Sequence, residues 1–176
     1  MFKFLLPVAL LLLTTPTFAQ SINHGHVSKY LGEEQRSIKS LSAEDIDELQ
    51  AGRGWGLAKA AELNGIPGPS HILKMKEELH LTLQQVKKIQ KLFDQMKATA
   101  VVQGEKLIAL EQELGQSFKN KTIDQIKLRI LLEKIQDART NLRFTHLSTH
   151  LHTHKVLTTD QTKKYNYLRG YLISNH

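Results

Sequence analysis

From Thr82 to Phe118 the apolar residues return at steps of three and four: Val86, Ile89, Phe93, Met96, Ala100, Leu107, Ile108, Leu114 and Phe118. Such steps keep side chains on one side of a helix with about 3.6 residues per turn. A second stripe, Ile126, Ile130, Leu131, Ile135, Ala138 and Leu142, predicts a helix running to about Lys155. Only Phe118-Lys119-Asn120-Lys121 separates the two. Each helix opens on a T-x-x-Q capping box, Thr82 with Gln85 and Thr122 with Gln125, in which the Thr side chain and the Gln side chain satisfy free N–H groups reciprocally. Two long amphipathic helices joined by so short a turn must fold into an antiparallel hairpin. A bare hairpin buries its stripes incompletely, so the shorter helices or a second subunit must cover them. Gly104 falls on the first stripe and permits a neighbour to approach closely, or a slight bend. No stretch alternates as a half-buried strand does. The fold class is therefore all-α, a long antiparallel helical hairpin with shorter N- and C-terminal helices.

The shorter elements carry their own punctuation. Ser42, with Asp45 three residues on, caps a helix whose thin apolar face is Ile46 and Leu49. Gly52, Gly54 and Gly56 end it around Trp55. Leu57 to Leu63 makes another turn or two, stopped by Asn64-Gly65. Pro67-Gly68-Pro69 forms a rigid turn, and Ser70 is expected to cap a third helix through Ile72, Leu73 and Leu79. Leu157-Thr158-Thr159-Asp160-Gln161 starts a last helix with Tyr165, Leu168 and Tyr171 inward. Residues 41–176 are expected to form one helical domain, with a Gly- and Trp-containing lead-in over 41–69 and a helical core over 70–172. Residues 20–40, mixed and polar with His24 and His26, are expected to be flexible.

The first nineteen residues have the pattern of a secretory signal. Lys3 is followed by an apolar run from Phe4 to Leu13, then by Thr14-Thr15-Pro16-Thr17-Phe18-Ala19. Thr17 and Ala19 suit signal peptidase, which places the cut before Gln20. The run falls short of the roughly 20 residues a bilayer span needs, and a retained anchor is the alternative. The chain has no cysteine, which excludes both a disulfide framework and a lipid-modified N-terminal cysteine. The expected location is the periplasm. The formal charge is +7, or +6 once Lys3 leaves with the signal. Outside the cytoplasm that balance favours acidic proteins or anionic membrane surfaces over nucleic acid as partners.

L-T-x-x-Q occurs twice, at Leu81-Thr82-Leu83-Gln84-Gln85 and at Leu157 to Gln161. With this pair the sequence resembles the Spy/CpxP family of periplasmic proteins, over roughly residues 70–171. The resemblance implies a four-helix arrangement, often a cradle-shaped homodimer whose concave face holds unfolded clients without ATP. The same broad superfamily contains periplasmic heavy-metal resistance proteins and metal sensors. The block from Tyr30 to Pro69 departs from the compact chaperones and resembles the glycine-rich lead-in of a subgroup, where it would occupy the client cradle.

Client binding of this kind would use apolar side chains ringed by cations, such as Phe93, Met96 and Lys97. Acidic, unfolded proteins would be drawn in electrostatically. A second hypothesis rests on His146 and His150, spaced i, i+4 on one side of a helix, with His154 one further turn on. An H-x-x-x-H pair is a two-ligand platform for Zn, Ni, Co or Cu. His71 is the expected third ligand, Glu77 or Glu78 the fourth, and His152 faces away. The bland reading is a pair of hydrogen-bonded boundary histidines. A third hypothesis is an accessory that docks a membrane-embedded signalling partner. Enzyme chemistry is not expected. Leu147 follows His146, so the H-E-x-x-H protease motif is absent. Gly52 to Gly56 lacks the Lys-Ser/Thr of a phosphate loop, and there is neither a Cys nucleophile nor G-x-S-x-G.

Overall fold

The computed structural model describes residues 26–171, so the signal segment and its cut lie outside the described residues. All regular structure among them is helical. After a short 3-10 turn, Glu33–Gln35, come α1 (Ala43–Gln50), α2 (Lys59–Glu62), α3 (Pro69–Lys74), α4 (Leu83–Lys119), α5 (Gln125–His154) and α6 (Thr159–Leu168). α4 and α5 form the hairpin, and α1 and α3 pack on α4.

Two apolar clusters hold the body together. One joins Ile38, Leu41 and Leu49 of the lead-in to Ala100, Leu107, Ile135, Ala138 and Leu142 of the hairpin. The lead-in is thus the cover that the hairpin stripes require. Burying a leucine such as Leu49 contributes about 1.5–3 kcal/mol. The segment expected to be flexible through residue 40 already feeds Ile38 into this cluster, beside Leu41 of the adjoining stretch. The second cluster gathers Ile72, Leu79, Ile89 and Tyr165, with Leu81 and Leu157 against it.

Two glycines let the lead-in lie flush on α4. A Cβ at Gly104 would stand 2.5 Å from the Leu49 carbonyl oxygen. A Cβ at Gly52 would stand 2.9 Å from the Lys97 carbonyl oxygen, and its φ of +63° favours glycine independently. A polar network fixes the same junction. The Ser40 hydroxyl donates to Glu111 Oε2 at 2.7 Å and Arg139 Nη2 donates to Oε1 at 2.8 Å. The Arg139 guanidinium lies 5.3 Å from the Trp55 ring centre, and Trp55 Nε1–H donates to Asp45 Oδ1 at 2.7 Å. That bond and those from Ser42 hold the Asp45 carboxyl below its ordinary range.

The two repeated motifs meet. Thr82 and Thr158 both form the expected capping boxes. Gln85 Nε2 donates to Gln161 Oε1 at 2.8 Å, and Gln161 Nε2 donates to Gln85 Oε1 at 3.1 Å. Each amide also donates to a backbone carbonyl, Gln85 to Val156 and Gln161 to Leu79. Each Oε1 further accepts its cap residue's N–H. Both side chains are satisfied on every side.

Several boundaries differ from expectation. The Thr122–Gln125 box does not form. Asp124 caps α5 by accepting from the Lys127 N–H at 2.7 Å, since a carboxylate suits a helix N-terminus better than a hydroxyl. The Thr122 hydroxyl instead donates back to the Ser117 carbonyl at 3.4 Å. α3 is capped by Gly68 rather than Ser70, with Pro69 first, and ends at Lys74. Ile126 and Ile130 face out, because Leu131, Ile135, Ala138 and Leu142 set the phase of the buried line of α5, and Phe118 is exposed at the end of α4. Leu168 is exposed as well, while Tyr165 is fully buried.

Candidate functional site

The inner line of α5 changes character after Leu142. Its next buried residues are His146, Thr149, His150 and Thr153. Above them lies a cleft of about 470 Å³, walled by Trp55, Phe93, Met96 and His71 and floored by His146 and His150. The client trio expected from sequence is therefore gathered here: Met96 is buried, Phe93 half-buried and Lys97 exposed at the rim. They do not form an open apolar face, since the lead-in stands over them.

His71, His146 and His150 line the same cleft without forming a ligand set. His71 Nδ1 stands 3.3 Å from Glu62 Oε1. His150 Nδ1 lies 2.8 Å from the Ile66 carbonyl oxygen, a contact only an N–H can make, which leaves Nε2 with the lone pair in a neutral ring. Gly68 packs against that Nε2 with no room for a Cβ. His146 is 3% exposed and its Nε2 has no hydrogen-bond partner. Burial, then His150, lowers its pKa and keeps the ring neutral. Among the described residues no three His, Asp or Glu side chains are placed to hold a metal ion together. Glu77 and Glu78 are exposed and do not line the cleft, and His152 is exposed as expected.

Two acids do reach the cleft, Glu48 of α1 and, at the end of α2, Glu62. Its Oε1 accepts from the hydroxyls of Tyr165 at 2.5 Å and Tyr171 at 3.0 Å, and lies 3.2 Å from Arg169 Nη2. Burial pulls its pKa up, but hydrogen bonds from His71, Tyr165 and Tyr171 override it and bring it to about 2. The Tyr165 hydroxyl is pushed up by burial and by the Glu62 charge. Nothing local in the sequence marks Glu62, because its partners come from the other end of the chain. Trp55 carries a left-handed φ of 41° between two glycines, uncommon for a large side chain and frequent where a site imposes it.

No helix among the described residues is long and apolar enough to cross a membrane. Compared with protein-family models, curated proteins and solved structures, the chain finds no match in any of the three.

Proposed function

We propose that this protein is a non-enzymatic periplasmic client-binding protein of the Spy/CpxP type, working without ATP and as a homodimer, with its LTxxQ motifs in the family's arrangement. The observation that supports it is the convergence of Trp55, Phe93, Met96 and Lys97 on one cleft. Apolar walls accept exposed apolar side chains of an unfolded chain. Lys59 and Lys97, which form no ion pair among the described residues, attract acidic segments. The lead-in takes the hairpin stripes for itself, so capture falls to the cleft.

The test is suppression of aggregation of a chemically unfolded protein, without nucleotide and at several-fold molar excess. Suppression should weaken in high salt and in Phe93→Ala. No suppression would remove this reading. Binding of Zn, Ni, Co or Cu is the rival reading, favoured by the unpartnered Nε2 of His146. It requires His71 to leave Glu62 and His150 to turn from Gly68. Calorimetry with Zn and Ni showing nothing tighter than about 1 mM would dismiss it.

A further inference from the structure

Six lysines gather at the end of the body where the two LTxxQ motifs meet. Lys87, Lys88 and Lys91 stand on the first turns of α4, Lys155 is the C-cap of α5, and Lys163 and Lys164 lie in the second turn of α6. The Gln85–Gln161 amide pair and the Gln85 bond to the Val156 carbonyl bring these three helix ends together. Lys88 and Lys155 line one depression of about 420 Å³ between them. All six lysines are exposed, and none forms an ion pair among the described residues. The acids nearest in the chain are Glu77, Glu78, Asp94 and Asp160. Glu77 lies 3.8 Å from Lys76, and Asp94 accepts from Gln90 Nε2 at 2.8 Å. Beside the lysines Leu83, the first residue of α4, is 82% exposed.

Like charges held on one end of a body repel, and a partner of opposite charge removes that cost. A single small anion would engage Lys88 and Lys155 at the depression and leave the other four lysines outside it. An acidic polypeptide answers the charge and has no use for Leu83. A lipid surface with anionic headgroups meets lysines from three helices at once, and its interface accepts an exposed leucine. We propose that this end of the body docks on an anionic lipid surface, with the lysines among the headgroup phosphates and Leu83 at the acyl boundary. The attachment is peripheral, resting on charge and one apolar side chain. It is separate from client capture, because neither Leu83 nor any of the six lysines lines the cleft between lead-in and hairpin.

Co-sedimentation of the full chain with vesicles tests the proposal. The probes are phosphatidylcholine vesicles with and without phosphatidylglycerol. Binding should require phosphatidylglycerol and weaken in high salt. Lys88→Gln and Lys155→Gln should each weaken it about fivefold, and the double variant by about the product of the two. Leu83→Ser should weaken it several-fold while leaving the salt dependence unchanged. Lys119→Gln with Lys121→Gln, at the hairpin turn, should leave it unchanged. All of these positions are exposed, and circular dichroism should not change with any of the substitutions. Equal binding to both kinds of vesicle, or none to either, overturns the proposal. So does an equal loss in the hairpin-turn variant, which would make net charge the cause rather than this face. Variants at Lys88 and Lys155 that bind as the parent does overturn it too, as would follow if the apolar run from Phe4 to Leu13 carried the binding. Capture of poly-glutamate as tight as that of the vesicles, with Leu83→Ser without effect, assigns the face to an acidic protein and overturns the lipid proposal.

Discussion

Around Leu49 the lead-in is fitted to the hairpin first by shape, with the Ser40–Glu111–Arg139 network beside it, whereas around Tyr165 hydroxyls and amides tie the chain over an apolar cluster of its own. At the first junction a glycine Cβ would run into a carbonyl oxygen, and the apolar cluster leaves it no slack. At the second, Gln85, Gln161, Glu62, Tyr165 and Tyr171 share hydrogen bonds that can be removed singly. α5 runs through both regions and is written accordingly, apolar on its inner line to Leu142 and polar from His146. A junction closed by shape fails abruptly when an atom is added, and one closed by hydrogen bonds weakens in steps. The cleft belongs with the polar part, where the packing leaves a nitrogen free.

Gly104→Leu tests the shape-fitted junction most severely. It should cost about 3 kcal/mol in urea unfolding, the upper part of the usual overpacking range, because the obstacle is backbone. A neutral result would mean that α1 lifts away freely. Glu111→Ala comes next, at about 2 kcal/mol, since it strips Ser40 and Arg139 of their shared acceptor. Gln161→Ala should cost about 1–2 kcal/mol by opening a capping box and leaving Gln85 half-satisfied. If it cost as much as Gly104→Leu, the two regions would not differ in kind.

Stability against pH sharpens the same contrast. His146 has a lowered folded pKa, so the unfolded chain protonates first, and stability should begin to fall as pH drops through the ordinary histidine value of 6.5. Glu62 has a folded pKa of about 2 against an ordinary 4.5, so its contribution is complete above 4.5 and lost as pH falls toward 2. Urea midpoints across that range should step down twice, and Glu62→Gln should shrink the lower step to the part that Asp45 contributes. His152→Ala should change stability by less than about 0.5 kcal/mol, as an exposed substitution away from any network.

The sequence disclosed what depends on neighbours three or four residues apart. The two long helices, the caps at Ser42, Thr82 and Thr158, and the closeness imposed at Gly104 were all legible. The cap at Thr122 was not, because Thr122 and Asp124 both fit the pattern and only geometry chooses. Ile126 and Ile130 were misassigned to the buried stripe because steps of three and four can be drawn along more than one line of a helix. Of the cleft, Phe93, Met96, Lys97 and the three histidines were individually visible, yet their meeting depends on how the lead-in folds back. Glu62 was invisible, since its hydroxyl partners lie more than a hundred positions away.

The reciprocal amides of Gln85 and Gln161 span 76 positions in a chain without a cysteine. They act as a clasp on a loop that contains nearly all of both long helices. Closing a loop of that length is slow compared with forming a helix turn. A chain emerging N-terminus first can build its hairpin early, but it cannot fasten the clasp until α6 is free. Until then the Leu79 carbonyl lacks the Gln161 amide that meets it in the finished fold. The last helix to appear is thus the one that locks the rest, and a chain cut short before Leu157 should have a hairpin with an unfastened end.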